Sequence, residues 1–514
     1  MVLTSRSPSP TIPDLSLAAY FRRAVAPFAS QTALIDGPSG RSYTYQQLLD
    51  LSASVAHALA ARGVGRGDRV AFVCPNVPEV ALAYHGTIAV GAVAMMLNPL
   101  STPGELEKYF GSGRPKLVVT VPPFVEAIRA AAPSLPIVVI GEVPGCEPLA
   151  ALLGGPKTPP EIDVSADDLA VMPYSSGTTG FPKGVMLTQR NMIAQCRSLD
   201  AMKEADVVIA GSNVLAVLPF FHIYGIMAFL TFGLTRGATI ITMPRFDMPT
   251  FLELARKHEV PLLHVVPPIL LGLAKHPGEL DLPKLKYALV GAAPLGEGLA
   301  EEFTKRTGAL VYQVYGMTEV TGASHLGTRV PERNKPGSIG GLVAGVEARV
   351  VGVESGEDVA PGEPGEVWVR GPIVMKGYFD EPEATKATVD AEGWLHTGDV
   401  GYVDRDGDFF LVDRVKELIK YKGMQVAPAE LEAVLLRHEA VADAAVFPRP
   451  DPEAGEIPVA AVVVKGGKTV SEDALMAFVQ ERVSPQKRIR AVVFLDQIPK
   501  SASGKILRRL LVAR

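Results

Sequence analysis

The first half of the chain alternates between helical and strand-like spacing of its hydrophobic residues. Leu48, Leu51, Val55 and Leu59 recur at the three- and four-residue intervals of one helical face. Glycines within 63–67 end this pattern, and the run RVAFVC at 69–74 has the composition of a buried strand. A further helix and strand follow through residues 79–96. Repeated alternation of this kind predicts an α/β architecture with largely parallel sheets.

The spacing changes in the last third of the chain. Short β-rich runs separated by Gly, Pro and Asp turns predict a β-rich subdomain, and they lie at 348–353, 365–370 and 408–412. After residue 413, helical and strand-like segments are mixed: helices are predicted at 428–437 and 472–483, strands at 444–447 and 459–464. We therefore predict an α/β protein with a large N-terminal domain at 1–413, made of parallel α/β subdomains plus the β-rich subdomain, and a small α+β domain at 414–514.

Composition narrows the possible functions only slightly. A chain of 514 residues is long for one core and suits two or more domains. Its net charge of -5 gives no electrostatic case for binding nucleic acid, and it has no apolar run long enough to span a membrane. Three cysteines without metal-ligand spacing favour a reducing compartment, and neither end carries a secretory or peroxisomal signal, so we predict a cytoplasmic location.

The segment 174–184, YSSGTTGFPKG, has the composition of a phosphate-binding loop. Glycines let backbone N–H groups turn toward an anion, hydroxyls add donors, and a lysine adds a full positive charge. The spacing differs from that of a Walker A loop. A plain polar loop is the simpler interpretation, but the ordered set of hydroxyls, glycines and one lysine makes a polyphosphate site the better one.

Further motifs follow in order along nearly the whole chain: GAAPLG at 291–296, YGMTE at 315–319, GWLHTGD at 393–399, DRVKELIKYKGMQVAPAELE at 413–432 and PKSASGKILR at 499–508. With the glycine and hydroxyl loop, this set resembles the adenylate-forming superfamily, which includes acyl-CoA synthetases, peptide-synthetase adenylation domains and firefly luciferase. Within it, the sequence is most similar to 4-coumarate:CoA ligases and related fatty acyl-CoA synthetases.

The resemblance implies ATP and coenzyme A as co-substrates, with Mg²⁺. The tyrosine of YGMTE would pack on adenine, its threonine would contact the α-phosphate, and Glu319 would hold Mg²⁺. Asp399 and Arg414 would contact the ribose, although Asp399 alone could be an ordinary turn residue. The positions implied to bind ATP or AMP are Ser175, Ser176, Gly177, Thr178, Thr179, Lys183, Gln313, Tyr315, Gly316, Met317, Thr318, Asp399, Arg414 and Lys505.

Adenylation is an in-line attack of a carboxylate on the α-phosphorus, so positive groups and oriented donors supply most of the catalysis. No side-chain nucleophile is needed. The implied catalytic residues are Lys505, His222, Thr318 and Glu319. A lysine in a basic tail is ordinarily a solvated charge, and a lone histidine is ordinarily a core residue; the motifs PKSASGKILR and PFFHIYG favour the catalytic interpretations of Lys505 and His222.

The resemblance also implies that the C-terminal domain rotates before the thiol of CoA attacks the acyl-adenylate. Lys416 matches the hinge position, Lys420 and Gln425 match positions near the acyl-adenylate, and Lys422 and Gly423 match the pantetheine path. Arg245 matches a residue that contacts the CoA phosphates. Each of these lysines alone could be a surface charge, and for Lys422 this is the stronger interpretation.

The acid should be apolar. The pocket wall implied by the resemblance contains no charged residue and consists of Tyr224, Ala228, Gly291, Ala292, Val314 and Val320. The other positions implied to bind the acyl group are His222, Lys416, Lys420 and Gln425. Val314 departs from the glycine found in many relatives and narrows or shortens the pocket. Aryl acids of the cinnamate type and fatty acids both remain open.

The sequence leaves two other functions open. One is a free-standing adenylation enzyme that loads a carrier protein, and the other is a nucleotide-binding protein without catalysis. The chain contains no appended carrier domain, and Lys505, Glu319, Asp399 and Arg414 argue against loss of catalysis. An oxygenase of the luciferase type is less favoured, because adenylation motifs do not imply oxidation. The oligomeric state is left open.

Overall fold

A computed structural model describes residues 1–175, 182–293, 295, 297–422, 424–500 and 506–512. Up to residue 175 the elements in chain order are β1 (Leu3–Thr4), α1 (Leu17–Val25), β2 (Thr32–Asp36), β3 (Ser42–Thr44), α2 (Tyr45–Ala61), β4 (Arg69–Val73), α3 (Pro78–Ala89), β5 (Val93–Leu97), α4 (Pro103–Gly113), β6 (Leu117–Thr120), α5 (Val125–Ala131), β7 (Ile137–Val139), β8 (Glu147–Pro148) and β9 (Leu169–Ser175).

The middle of the chain continues with β10 (Lys183–Thr188), α6 (Gln189–Asp200), β11 (Asn213–Ala216), α7 (Ile223–Gly225), α8 (Phe232–Thr235), β12 (Thr239–Thr242), α9 (Met248–Lys257), β13 (Leu262–Val265), α10 (Pro267–Ala274), β14 (Tyr287–Val290), α11 (Glu297–Thr307), β15 (Leu310–Met317), β16 (Gly322–Leu326) and β17 (Gly341–Leu342). A π-helical segment, Ile226–Thr231, lies between α7 and α8.

The last third contains β18 (Glu347–Val351), β19 (Gly365–Arg370), β20 (Gly377–Tyr378), α12 (Pro382–Thr388), β21 (Leu395–Val403), β22 (Phe409–Arg414), β23 (Ile419–Tyr421), β24 (Met424–Val426), α13 (Pro428–Leu435), β25 (Val441–Asp451), β26 (Gly455–Val464), α14 (Glu472–Gln480), β27 (Ala491–Phe494) and α15 (Arg509–Val512).

The largest sheet has eight strands in the order β20-β10-β9-β5-β4-β6-β7-β8. Strands β4 to β9 run parallel, as the alternating helices and strands predict, and β10 and β20 are added antiparallel at one edge. Helix α2 begins with a capping box between Thr44 and Gln47 and ends before Gly63, whose φ of 72° favours glycine. The predicted helix–glycine–strand sequence is thus observed.

A second set of parallel strands carries residues that were predicted to bind the acid. Strands β13, β14 and β15 are parallel neighbours in the order β13-β14-β15-β16-β17, and β16 and β17 continue the sheet antiparallel. A four-stranded sheet, β11-β12-β2-β3, forms a further layer. The carboxyl ends of β14 and β15 carry the GAAPLG and YGMTE motifs, where ligands commonly bind in α/β sheets.

The β-rich subdomain is an antiparallel sheet in the order β1-β18-β19-β21-β22. Its strand β18 ends at Val351, before the predicted end at residue 353, because the Gly352 N–H turns to donate to the Glu357 carbonyl at 2.8 Å. Strand β22 crosses the predicted boundary at 413/414, which stays a prediction.

The C-terminal region has its own sheet, β24-β23-β26-β25 with β27 beside β26, and its own core, which includes Ile419, Leu431, Val446 and Val462. Helix α14 ends at Gln480, before the predicted end at 483, because the chain then tightens into a turn in which the Arg482 N–H donates to the Val479 carbonyl at 2.9 Å. A large N-terminal and a small C-terminal domain of mixed α/β structure agree with the predicted fold class. No helix in the described ranges is both long and apolar enough to cross a bilayer.

Candidate active site

The glycine and hydroxyl loop begins and ends on paired strands. Ser175 is the last residue of β9, Lys183 is the first of β10, and the two lie opposite each other in the antiparallel register. Ser176, Gly177, Thr178 and Thr179, which were predicted to bind phosphate, lie outside the described residues. Their roles stay predictions, while both flanks of the loop are fixed by the sheet.

Lys183 and Glu319 are brought together by a tyrosine that the sequence did not indicate. Tyr378 lies on β20, next to β10, and the Lys183 Nζ is 5.7 Å from the centre of its ring. The Tyr378 hydroxyl donates to Glu319 Oε1 at 2.9 Å. Burial and the Glu319 carboxylate raise the pKa of Tyr378, so the hydroxyl stays protonated and keeps donating. The predicted metal-binding carboxylate is therefore held beside the predicted phosphate-binding lysine.

Glu319 fits a magnesium ion that arrives with the nucleotide. It is 5% exposed, and Thr318 beside it is also buried. Among the residues that the structure describes, no cluster of three or more His, Cys, Asp or Glu could form an all-protein metal cage. Mg²⁺ bound to ATP usually takes one or two carboxylates and completes its octahedron with phosphate oxygens and water. A single buried carboxylate therefore fits such an ion.

The predicted adenine and ribose residues form one hydrogen-bonded group. Asp399 on β21 faces Arg414 on β22 in the antiparallel register, and Arg414 Nε lies 3.1 Å from Asp399 Oδ1. The Tyr315 hydroxyl, at the end of β15, donates to Asp399 Oδ2 at 2.6 Å. Burial first, and then the Asp399 carboxylate, raise the pKa of Tyr315 well above its usual value, so the phenol stays neutral. The sequence predicted all three residues but not the link between Tyr315 and Asp399.

The other residues of the YGMTE motif lie at the end of β15, where this strand pairs closely with β16. A Cβ at Gly316 would lie 1.6 Å from the Gly322 carbonyl oxygen, so only glycine fits there. Met317 ends β15, and Thr318 starts a 3₁₀ turn. Gln313 uses its side-chain amide to donate to the Ser338 carbonyl at 2.9 Å, which gives this predicted nucleotide contact a structural partner.

The acid side starts at α7. His222 caps this helix, with its Nδ1 accepting the Tyr224 N–H at 3.2 Å. Tyr224 then extends toward the end of β14: its Cε1 lies 3.4 Å from where a Gly291 Cβ would be, and its hydroxyl lies 3.3 Å from Nδ1 of His264. His264 was not predicted, because a histidine in the strand sequence LLHV carries no motif.

Gly291 and Val314 face each other across neighbouring strands. A Cβ at Gly291 would lie 2.9 Å from Val314 Cγ1, so the valine occupies the space above the glycine. Ala292 has a φ of 70°, a conformation that costs energy for a residue with a Cβ and that often marks a functional turn. Ala228, in the π-helical segment, and Val320 are both 1% exposed and belong to the hydrophobic core against which Tyr224, Ala292 and Val314 pack.

The predicted residues of the C-terminal domain are partly described. Lys416, Lys420 and Lys422 are exposed, and Lys422 has a φ of 49° with its N–H donating to the Ala454 carbonyl at 2.8 Å. Lys505, Gly423 and the side chain of Gln425 lie outside what the structure describes. Arg245 is exposed in the loop between β12 and α9.

Both flanks of the segment that carries Lys505 are held in place. Lys500 pairs with Ile506 in an antiparallel bridge, and its Nζ lies 2.6 Å from Asp443. Arg508 forms ion pairs with Glu417 and with Glu432, the latter at 2.6 Å, and also donates to the Val446 carbonyl. This anchor, which was not predicted, ties the predicted catalytic segment to the core of the small domain and to the residues just after Arg414.

Comparison with known proteins agrees with this geometry. Residues 21–379 match the family described as AMP-binding enzyme, and residues 430–505 match the AMP-binding enzyme C-terminal domain. The chain is 40% identical to 4-coumarate–CoA ligase 1 of Solanum tuberosum, over 100% of this chain and 96% of that protein.

Two solved structures share the fold. ATP-bound MatB from Rhodopseudomonas palustris superposes with a TM-score of 0.90 at 29% identity, covering 98% of this chain and 99% of that one. The anthranilate CoA ligase AuaEII in complex with anthranoyl-AMP superposes with a TM-score of 0.89 at 27% identity, covering 97% of each chain.

Proposed function

Because the chain belongs to the AMP-binding enzyme family, we propose that it is an AMP-forming acid–CoA ligase that acts on an apolar carboxylic acid. The observation that carries this function is the joined nucleotide site: Tyr315, Asp399 and Arg414 on one side, and Glu319 with Lys183 on the other. One side offers a ring and hydrogen-bonding partners suited to a nucleoside, and the other offers charges suited to its phosphates.

In the first half-reaction, a carboxylate oxygen of the acid attacks the α-phosphorus of ATP, an acyl–phosphate bond forms, and pyrophosphate leaves. Lys183 at the flank of the phosphate loop and Lys505 supply positive charge where two anions meet. Mg²⁺, when bound, would neutralise phosphate oxygens beside Glu319. Tyr378 orients the Glu319 carboxylate, and His222, whose Nδ1 accepts the Tyr224 N–H at the start of α7, is the proposed contact for the carboxylate of the acid.

In the second half-reaction, the thiol of CoA loses its proton and attacks the acyl carbon, a thioester forms, and AMP leaves. The exposed Arg245 and Lys422 are the proposed contacts for the phosphates and the pantetheine arm, together with Gly423. The relatives named as CoA ligases support CoA as the acceptor. Rotation of the small domain about Lys416 between the two steps is part of the proposal.

Of the three substrates, the acid is the one whose chemical identity the site residues define least narrowly. The wall formed by Tyr224, Gly291 and Val314 is uncharged, which favours an aryl or medium-chain acid over a dicarboxylate. The free thiols of Cys74, Cys146 and Cys196 agree with a reducing compartment, and we propose the cytoplasm.

The test measures pyrophosphate release and thioester formation with ATP, Mg²⁺ and a panel of cinnamic, benzoic and fatty acids, with CoA or a carrier protein as acceptor. We expect acid-dependent pyrophosphate release and acyl-CoA formation. Lys505→Ala should lower the first rate by about 100- to 1000-fold. Lys468→Ala, which removes a half-exposed lysine of the same domain, is the matched control. Equal rates in Lys505→Ala and wild type would refute the catalytic assignment, and turnover only with a carrier protein would refute CoA as the acceptor.

A further inference from the structure

Residues 397–399 of β21 form a β-bulge beside the nucleotide side of the site. The flanking residues His396 and Val400 pair with Trp368 and Glu366 of β19, so three residues of one strand lie opposite one residue of the other. Bulges are frequent next to active sites, where they redirect a side chain. The last residue of this bulge is the aspartate that is proposed to bind the ribose.

Gly398 is the middle residue of the bulge. Its φ of 72° lies in the region that favours glycine, and a Cβ there would meet no atom within 4 Å, so the backbone conformation and not crowding requires the glycine. A bulge interrupts the ladder of backbone hydrogen bonds, and the Gly398 N–H donates instead to Glu366 Oε1 at 2.9 Å. The Gly398 carbonyl accepts the Val415 N–H at 2.8 Å. The middle of the bulge is therefore held on two sides.

The Glu366 carboxylate is itself held in a fixed direction. Glu366 and Trp368 lie two residues apart on β19 and therefore share one face of the sheet. The Trp368 indole N–H donates to Glu366 Oε2 at 2.9 Å, and the indole stacks on the His396 ring with ring centres 3.8 Å apart. Both carboxylate oxygens thus accept from uncharged N–H groups, and a carboxylate acceptor makes such bonds stronger than a neutral acceptor does.

The bulge sets the positions of both residues that are proposed to contact the ribose. Asp399 directly follows Gly398, is 7% exposed and lies 3.1 Å from Arg414 Nε. Arg414 directly precedes Val415, whose N–H is bonded to the Gly398 carbonyl. Without the carboxylate that accepts its N–H, a glycine at this position has many other conformations available. A change in the backbone at Gly398 would therefore move Asp399 and Arg414 together.

We propose that Glu366 is a positioning residue for nucleotide binding: its carboxylate holds the bulge in the conformation in which Asp399 and Arg414 face the ribose hydroxyls. The site is then organised before ATP arrives, and less of the binding energy is spent on ordering it. Glu366 acts through the Gly398 backbone. The inference rests on the proposed function, because it takes the ribose of ATP to bind at Asp399.

The test compares ATP with 2′,3′-dideoxy-ATP, which lacks both ribose hydroxyls, by kcat/KM for acid-dependent pyrophosphate release. We expect the wild type to favour ATP by about 100-fold, the value of two hydrogen bonds to charged groups. Glu366→Ala should reduce this ratio to roughly tenfold or less, because a misplaced Asp399 recognises the hydroxyls poorly. General damage to the fold would lower both values of kcat/KM equally and leave the ratio unchanged.

Three further variants separate positioning from general damage. Glu366→Gln keeps an oxygen that can accept the Gly398 N–H, so it should keep most of the ratio. The double variant Glu366→Ala with Asp399→Asn should have the same ratio as Asp399→Asn alone, because Glu366 acts through Asp399. Glu347→Ala is the matched control: it removes a carboxylate that pairs with Arg370 at 2.7 Å in the same sheet, and it should leave the ratio at the wild-type value.

The outcomes distinguish this inference from the proposed function. Absence of acid-dependent pyrophosphate release from ATP with every acid would overturn both. Release with equal efficiency from ATP and the dideoxy analogue in the wild type would overturn the inference alone. So would a wild-type ratio in Glu366→Ala, a ratio lost as completely in Glu366→Gln as in Glu366→Ala, or an equal loss in Glu347→Ala.

Discussion

The nucleotide side and the acid-tail side of the site differ in how their polar groups are partnered. On the nucleotide side, Asp399 is bonded to both Tyr315 and Arg414, and Glu319 is bonded to Tyr378. On the acid-tail side, the wall is apolar apart from one neutral pair, Tyr224 and His264. The first region stabilises charge that develops with any acid, whereas the second decides which acid enters. Changes on the two sides should therefore alter different kinetic quantities.

The largest effect is expected from Glu319→Gln. The glutamine keeps a carbonyl oxygen that can accept from Tyr378 but loses the charge that would hold Mg²⁺. We expect acid-dependent pyrophosphate release to fall by about 100- to 1000-fold. The loss should be equal for every acid in the panel, because the missing charge acts on the phosphates.

The matched variant for this prediction is Tyr378→Phe, which removes only the hydroxyl that orients the carboxylate. Its loss should be smaller, about 10- to 100-fold, the value of one hydrogen bond to a charged group. A loss in Glu319→Gln that varied with the acid tail would show that the two sides are not independent.

A smaller effect is expected from Asp399→Asn. This change removes the charge that pairs with Arg414 and weakens the acceptor for Tyr315, so KM for ATP should rise by roughly 10- to 100-fold. Steady-state kinetics at saturating acid measure this rise, and it should be the same for aryl and fatty acids. Tyr315→Phe keeps the ring and removes one hydrogen bond, so it should raise KM for ATP less. An unchanged KM in Asp399→Asn would contradict a ribose-binding role.

The same contrast shows what the sequence could predict. The nucleotide residues were found because phosphate and ribose chemistry demands fixed residue types at fixed spacing, as in YGMTE and GWLHTGD. The fold class followed from alternating hydrophobic spacing. Tyr378 and His264 were missed because each lies in a short strand with no motif, and each reaches a partner that is distant in the sequence and lies outside the strands, Glu319 and Tyr224 respectively. The contact of Gly291 with Val314 depends on register, although both residues were recognised.

On the acid-tail side, Val314→Ala should change preference rather than rate. Removing two methyl groups opposite Gly291 enlarges the pocket. A change of this size alters the discrimination between acids by about tenfold or more. Acids with bulkier or longer tails should gain in kcat/KM relative to cinnamic acid, without a matching change in KM for ATP.

Gly291→Ala provides the reverse change. Its new methyl would lie 2.9 Å from Val314 Cγ1, so it should reduce acceptance of bulky acids, and the double variant with Val314→Ala should restore it. If Val314→Ala altered KM for ATP as strongly as the acid preference, the separation of the two sides would be wrong.

The smallest effect concerns pH, and here the two sides should behave alike. Burial lowers the pKa of His264 on the acid-tail side and of His325 on the nucleotide side to about 3. The unfolded chain takes up a proton on each histidine near pH 6.5, whereas the folded chain does not. The contribution of the two neutral histidines to the stability of the folded protein is therefore complete above that pH. It is lost as the pH falls from about 6.5 toward 3, by about 1 kcal/mol per histidine between pH 6.5 and 5.5. Denaturation midpoints at these two pH values should therefore drop less in His264→Leu and in His325→Leu than in the wild type, by similar amounts. A drop as large as that of the wild type in either variant would mean that its histidine is charged in the folded protein.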